Sequence, residues 1–246
     1  WSSDVCSSDL TGGSGISNNY GVQINGYLKA NGGDITVTGN ANLNPTTSNF
    51  NTGIGVSNST LTTQGSGKIS LTGTGSSTAS SPGISLSLTG ITTQSGNIDL
   101  VGNATNGNEG VDISYYSYID SVMGNLIITG NTDQTTTGVT IAGTTLAAPN
   151  ININGNTISI FNSSGDVGVI FPSIEGKGGT LSLQTFASGA PLSLNINSPD
   201  VFRNGGFSQI NLGQPGGTGS LTLTGDTVFS DPVTRSEEHT SELQSP

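Results

Sequence analysis

The sequence predicts an all-β chain wound as a right-handed parallel β-helix (a β-solenoid) of about seven to eight coils. Three observations carry that expectation. One short phrase recurs through the 246 residues at intervals of 25 to 40. Within it apolar and polar residues alternate, the period of a strand, and no stretch shows the 3.6-residue period of a helix. Only 9% of residues are charged and 38 are glycine, while Ser, Thr and Asn crowd the intervals, as they do where short strands are joined by turns. One such unit cannot bury its apolar face alone, whereas stacked units share a continuous core.

The phrase reads GDITVTGN at 33–40, GKISLTGT at 67–74, GNIDLVGN at 96–103 and GNLIITGN at 124–131. It continues as PNININGN at 149–156, GTLSLQ at 179–184 and GSLTLTGD at 219–226. Its first apolar positions are Ile35, Ile69, Ile98, Leu126, Ile151, Leu181 and Leu221, spaced by 34, 29, 28, 25, 30 and 40 residues. They are expected to stack as one internal column. Val37, Leu71, Leu100, Ile128, Ile153, Leu183 and Leu223 are expected to form the next. A constant phrase at unequal spacing implies one repeat per coil, with loops of varying length.

A second phrase precedes each of the first five. Val22–Ile24, Val56, Ile84–Leu86, Val111–Ile113 and Val139–Ile141 each follow a glycine, and a lone Leu28, Leu61, Ile91, Ile119 or Leu146 comes four to six residues later. The glycine after the first phrase recurs as Gly39, Gly73, Gly102, Gly130, Gly155 and Gly225, where a corner with φ > 0 is expected. From about residue 157 the pattern loosens. There Phe161, Phe171, Phe186, Phe202, Phe207 and Phe229 are expected to fill a widening coil or cover a side loop, with an aromatic ligand groove as the alternative. The competing architecture, a string of β-sandwich domains, calls for a period near 100 residues.

The two ends read differently. Arg235 through Gln244 translates AGA TCG GAA GAG CAC ACG TCT GAA CTC CAG. The reverse complement of those bases, read from its second base, gives Trp1 through Asp9 and begins Leu10. Both ends resemble a translated sequencing adapter. Residues 1–10 and 235–246 are therefore expected to be foreign and to lie outside the coils, leaving 11–234 as the β-helix segment of a longer chain. The only Trp, Cys and His (Trp1, Cys6 and His239) fall in these flanks. The net charge drops from -11 to -7, with 11 acidic and 4 basic residues remaining.

Composition excludes several classes of function. Five Lys and Arg residues in all cannot form the basic face that tracks nucleic-acid phosphates. No apolar run approaches the roughly 18–20 residues of a membrane span. Zinc requires His or Cys at close spacing, which 11–234 lacks, and no cofactor motif is present.

Glycine-bounded phrases such as GNIDLVGN, GVQI and GVDI, set among abundant Thr, Ser and Asn, resemble the stalks of filamentous-haemagglutinin-like exoproteins. Those proteins are exported by two-partner secretion, and related passenger domains occur in autotransporter adhesins. The resemblance covers most of 21–226. It implies a bacterial secreted or surface-exposed adhesin, extracellular or associated with the outer membrane, acting as stalk or binding surface in adhesion or aggregation. The implied partners are glycans or proteins on host or neighbouring cells, and an outer-membrane transporter during export.

β-Helices also carry polysaccharide hydrolases and lyases, so a carbohydrate-active enzyme is the main rival. Asn131-Thr132-Asp133 matches one phrase of pectin-type hydrolases, but no Asp-Asp pair, Gly-His-Gly or Arg-Ile-Lys accompanies it. Glycoside hydrolysis needs two carboxylates across one bond, and nothing fixes Asp99 and Asp112 face to face. Lys29, Lys68, Lys177 and Arg203 are scattered one to a coil. Glu109 and Asp112 flank Gly110, a weak calcium candidate. Outward Thr-Thr pairs occur only at Thr36/Thr38 and Thr222/Thr224, too few for an ice-matching lattice. A non-catalytic segment is expected. Tyr115, Tyr116 and Tyr118 form the one aromatic cluster on an exposed stretch and are the ligand-contact candidates, since tyrosine rings stack on sugars.

Overall fold

The structure is a computed structural model that describes residues 6–11, 19–41, 51–77, 81–104, 108–132, 136–165, 168–185, 190–197, 201–202, 205–225 and 228–237. These residues form parallel strands stacked as a β-solenoid of about six turns, with no helix, close to the expected seven or eight. The single antiparallel pair among them joins Ser163–Gly165 to Gly168–Ile170. The β-sandwich alternative, which requires antiparallel sheets, does not apply.

Three faces enclose the core. Face I is a nine-stranded sheet whose strands lie side by side in chain order. Its ladder runs in register through Ile35, Ile69, Ile98, Leu126, Ile151 and Leu181. These residues and the neighbouring column from Val37 to Leu183 are at most 3% exposed. The second sheet is bent into faces II and III. Its long strands Ile54–Thr63 and Ile84–Thr93 turn at Asn58 and Leu88, which take positive φ. Face II stacks Val22, Ile54, Ile84, Val111, Val139, Ile158 and Leu194. Face III stacks Leu28, Leu61, Ile91, Ile119, Leu146 and Ile174.

Two expected column members are corrected. The seventh place on face I belongs to Ile210, with Leu212 beside it, and not to Leu221 and Leu223. Leu221 and Leu223 sit on face II, paired with Leu192 and Leu194, and Leu223 is 44% exposed. The step from Leu181 to Ile210 is 29 residues, in line with the other coils, where the step to Leu221 is 40. The phrase SQINLG has Ser208 where most of the repeats have their leading glycine.

The corner glycines are also corrected. Only Gly225 takes the expected positive φ, at 93°. At Gly39, Gly73, Gly102 and Gly130 a Cβ atom would lie closer than 3.0 Å to the carbonyl oxygen of Gly53, Gly83, Gly110 and Gly138 respectively. Each pair closes the corner between faces I and II, where two backbones pass with no room for a side chain. Much of the unequal repeat has its source here. From each paired glycine to its mate the chain takes 14, 10, 8 and 8 residues, and from Gly53, Gly83, Gly110 and Gly138 to the next face I strand it takes 16, 15, 16 and 13. Loops at this corner absorb the variation from 34 to 28, and the further drop to 25 is taken up by the rest of the coil.

Buried polar groups are paired along the same axis. The Asn51 N–H donates to Ser81 Oγ (3.0 Å), and the Ser81 N–H to Asn108 Oδ1 (2.8 Å). At the corner between faces III and I, the Thr93 hydroxyl donates to the Gly96 carbonyl (2.6 Å), as does that of Ser121 (3.0 Å). Toward the C-terminal end Phe202 and Phe207 are core residues, and Phe202 stacks on Phe229 at 4.7 Å. Phe161 and Phe171 are exposed, and Phe186 lies outside the described residues.

The described parts of the flanks, 6–10 and 235–237, do not stay outside the coils. Cys6–Thr11 pairs in parallel with Ile35–Asn40, and Val233–Glu237 pairs with Gln209–Gly217. The last strand of a solenoid presents a row of unpaired N–H and C=O groups, and an adjoining extended segment satisfies them almost regardless of its side chains. The C-terminal pairing loses register between Leu212 and Gly217.

Two substitutions test this architecture. Ile128→Asp places a carboxylate in the apolar stack and should cost on the order of 4 kcal/mol or more, while Thr129→Asp, one residue on, should cost well under 1 kcal/mol. Gly102→Ala, the smallest change that adds a Cβ, should cost roughly 3 kcal/mol or more because it drives two coils apart. Urea melts of the three variants are the measurement.

Candidate functional site

The site forms where the chain turns from face II to face III. A hydroxyl points inward at this corner in successive coils: Ser59, Thr89, Ser117 and Thr144, all buried. Ser59 Oγ accepts from the Gly26 N–H (2.9 Å), and the Thr89 hydroxyl donates to the Val56 carbonyl (3.0 Å). The Ser117 hydroxyl donates to the Ser114 carbonyl (2.7 Å), and that of Thr144 to the Ile113 carbonyl (3.3 Å). Turning the hydroxyl in forces the residue before it into the left-handed region, with φ of 47° at Asn58, 52° at Leu88, 53° at Tyr116 and 56° at Gly143.

Tyr115 joins Tyr116 in that region, with φ of 48°. Left-handed backbone costs a non-glycine residue roughly 1–2 kcal/mol. Bonds from the Leu88 N–H to the Tyr115 carbonyl (2.9 Å) and from the Tyr116 N–H to the Gly143 carbonyl (3.1 Å) hold it in place. Tyr115 and Tyr116 are each 48% exposed, and Tyr118 is 42% exposed. The three predicted contact residues thus share one stretch of surface but occupy two stations. Tyr115 and Tyr116 project from the corner. Tyr118 projects from the first outward row of face III, between Gly90 and Thr145.

Tyr118 is anchored, and its anchor was not legible beforehand. Its hydroxyl donates to Asp120 Oδ2 (2.7 Å), while Asp120 Oδ1 pairs with the Lys177 ammonium. Lys177 Nζ also donates to the Ser121 carbonyl (3.1 Å). Burial, the hydrogen bond to Asp120 and the charges of Asp120 and Glu175 push the Tyr118 hydroxyl up to about 12. It therefore remains a neutral donor near neutral pH. Lys177 comes from two coils beyond Asp120, whose row continues through Ala147 to Glu175. Only the coil-by-coil alignment brings the pair together, across 57 residues.

The candidate catalytic carboxylates disperse. Asp99 projects from face I and Asp112 from face II, and Asp120, which the sequence did not single out, lies on face III. Asp133 and Arg203 lie outside the described residues. Among the described residues no three His, Cys, Asp or Glu side chains gather as a metal set, and no helix is long and apolar enough to cross a membrane. Burial raises the Asp99 carboxyl, opposed by Lys68, and Asp99 Oδ1 is buried without a hydrogen-bond partner. Compared with known proteins, the chain matches no family model, and no curated protein or solved structure matches it.

Asp112 gives a pH prediction. Burial first, and the neighbouring Glu109 charge second, raise its carboxyl from 3.8 to about 7. The folded state then holds a proton that the unfolded state has released, so stability from this group is greatest at acid pH and falls as pH rises from about 4 to 7. Asp112→Asn should flatten that part of the profile and raise the melting temperature at pH 8. Thermal melts from pH 4 to 8 check it.

Proposed function

We propose that this segment is a non-catalytic part of a bacterial secreted or surface-exposed adhesin, serving as a binding surface on a rigid stalk. The observation that carries the reading is the set of half-exposed tyrosines on the solenoid. Two of them are held in an unfavourable backbone region, and the third is fixed by an aspartate–lysine pair. Strained or anchored residues of this kind are typical of functional positions. Tyrosine presents a large amphipathic ring at low entropic cost and suits recognition of cell-surface molecules. The resemblance to filamentous-haemagglutinin-like exoproteins adds the address, outside the cell or on the outer membrane after passage through a transporter. It also adds the partners, glycans or proteins of host or neighbouring cells. Carboxylates spread over three faces favour binding over polysaccharide hydrolysis.

The purified chain should bind cells saturably and should release no reducing or unsaturated ends from neutral or acidic polysaccharides. Turnover that persists in protein trimmed to 11–234 would falsify the non-catalytic reading.

A further inference from the structure

Face III has two strand glycines among the described residues, Gly90 and Gly176. A Cβ at Gly176 would collide with the Gly206 backbone, whereas nothing in the backbone requires Gly90. Among the described glycines in the strands of the three faces, the others either take positive φ or sit where a Cβ would collide. At Gly90 φ is ordinary, and the nearest atoms a Cβ would meet are Thr60 Oγ1 and Cγ2, at 3.8 and 3.9 Å. A glycine inside a strand sacrifices stability, and one without a packing reason marks close approach by another molecule.

Its neighbours give that approach a shape. The outward row runs Thr60, Gly90, Tyr118, Thr145, so the missing side chain opens a slot between Thr60 and Tyr118. Those strands stand two spacings apart, about 9.5 Å. That leaves one ring thickness at van der Waals contact, about 3.5–4 Å, from the tyrosine. The Tyr118 ring is fixed at its hydroxyl by Asp120, itself held by Lys177, so little freedom is lost on binding. Along the next row Thr92 donates to Thr62 (3.0 Å) beside Asp120, lining the slot with hydroxyls and a carboxylate.

We infer that the Gly90 slot holds one uncharged pyranose ring of a cell-surface glycan, stacked on Tyr118 with its hydroxyls bonded along Thr62, Thr92 and Asp120. The inference rests on the binding-surface reading above and names the ligand class. An aromatic wall beside a hydroxyl-lined floor matches a sugar, whose C–H face is apolar and whose rim is polar. Acidic sugars are excluded by charge, because Lys177 is matched by Asp120 and Glu175 adds a second carboxylate on the same row.

The test is saturation-transfer NMR on the full chain with methyl glucoside, galactoside, mannoside and fucoside, and sialyllactose as the acidic comparator. At least one neutral glycoside should show transfer and sialyllactose none. Gly90→Thr has room for its side chain and suits a strand, so it should fold as the wild type while losing at least tenfold in affinity. Tyr118→Ala should lose as much. Equal affinity in Gly90→Thr, or no transfer to any neutral glycoside, overturns the slot. Cell binding separates the two levels. Binding by wild type that survives periodate treatment of the cells but not protease assigns a protein ligand and overturns the glycan while the adhesin reading stands. Absence of any cell binding by the wild type removes that reading as well.

Discussion

Everything in this molecule follows from the in-register parallel ladder, in which each inward aliphatic side chain sits on its counterpart in the coil before and after. Because side chains alternate across a strand, a slip of one residue would turn the whole Ile35-to-Ile210 column outward. Register is therefore set by apolar burial, and backbone hydrogen bonds follow it. Once register is set, every other position acquires a row. A hydroxyl meets a hydroxyl at the corners, a glycine meets a glycine where faces I and II converge, and an outward residue lies beside its equivalents in neighbouring coils.

Much of this was legible because the ladder writes itself into the sequence as a repeated alternation. The inward residues of face I as far as Leu183, those of face II as far as Ile141 and the lone apolar residues of face III as far as Leu146 could be named from pattern alone. What pattern could not reveal was why a residue recurs. The glycines at 39, 73, 102 and 130 recur through steric exclusion by a second backbone, a relation between coils that leaves no trace in local conformational preference. Leu221 imitates the face I phrase, flanking glycines included, yet belongs to face II. Only the coil length distinguishes it from Ile210. The flanks paired because an open sheet edge accepts almost any extended chain, whatever its origin.

The candidate site divides in the same way. Three tyrosines within four residues stood out as a cluster, and they are exposed. Their division into a corner pair and a face residue depended on the inward hydroxyl of Ser117, which sets the turn. The Asp120–Lys177 anchor depended on two coils of spacing. The Gly90 gap is meaningful only once the other glycines have been explained. A solenoid suits such a site because each outward row rests on a closely packed core, so a ring placed on it is held by the whole stack.

The most direct test of the register is a disulfide across two coils. In-register neighbours in a parallel sheet have Cα atoms about 4.8 Å apart, within the roughly 4.4–6.8 Å that a disulfide bridges. In a Cys6→Ser background, Ser182→Cys with Asn211→Cys, an outward in-register pair, should cross-link rapidly under mild oxidation. Ser182→Cys with Thr222→Cys, which the sequence phrase alone would align, should remain reduced. Efficient cross-linking of the 182–222 pair, with none between 182 and 211, would contradict the ladder on which the account stands.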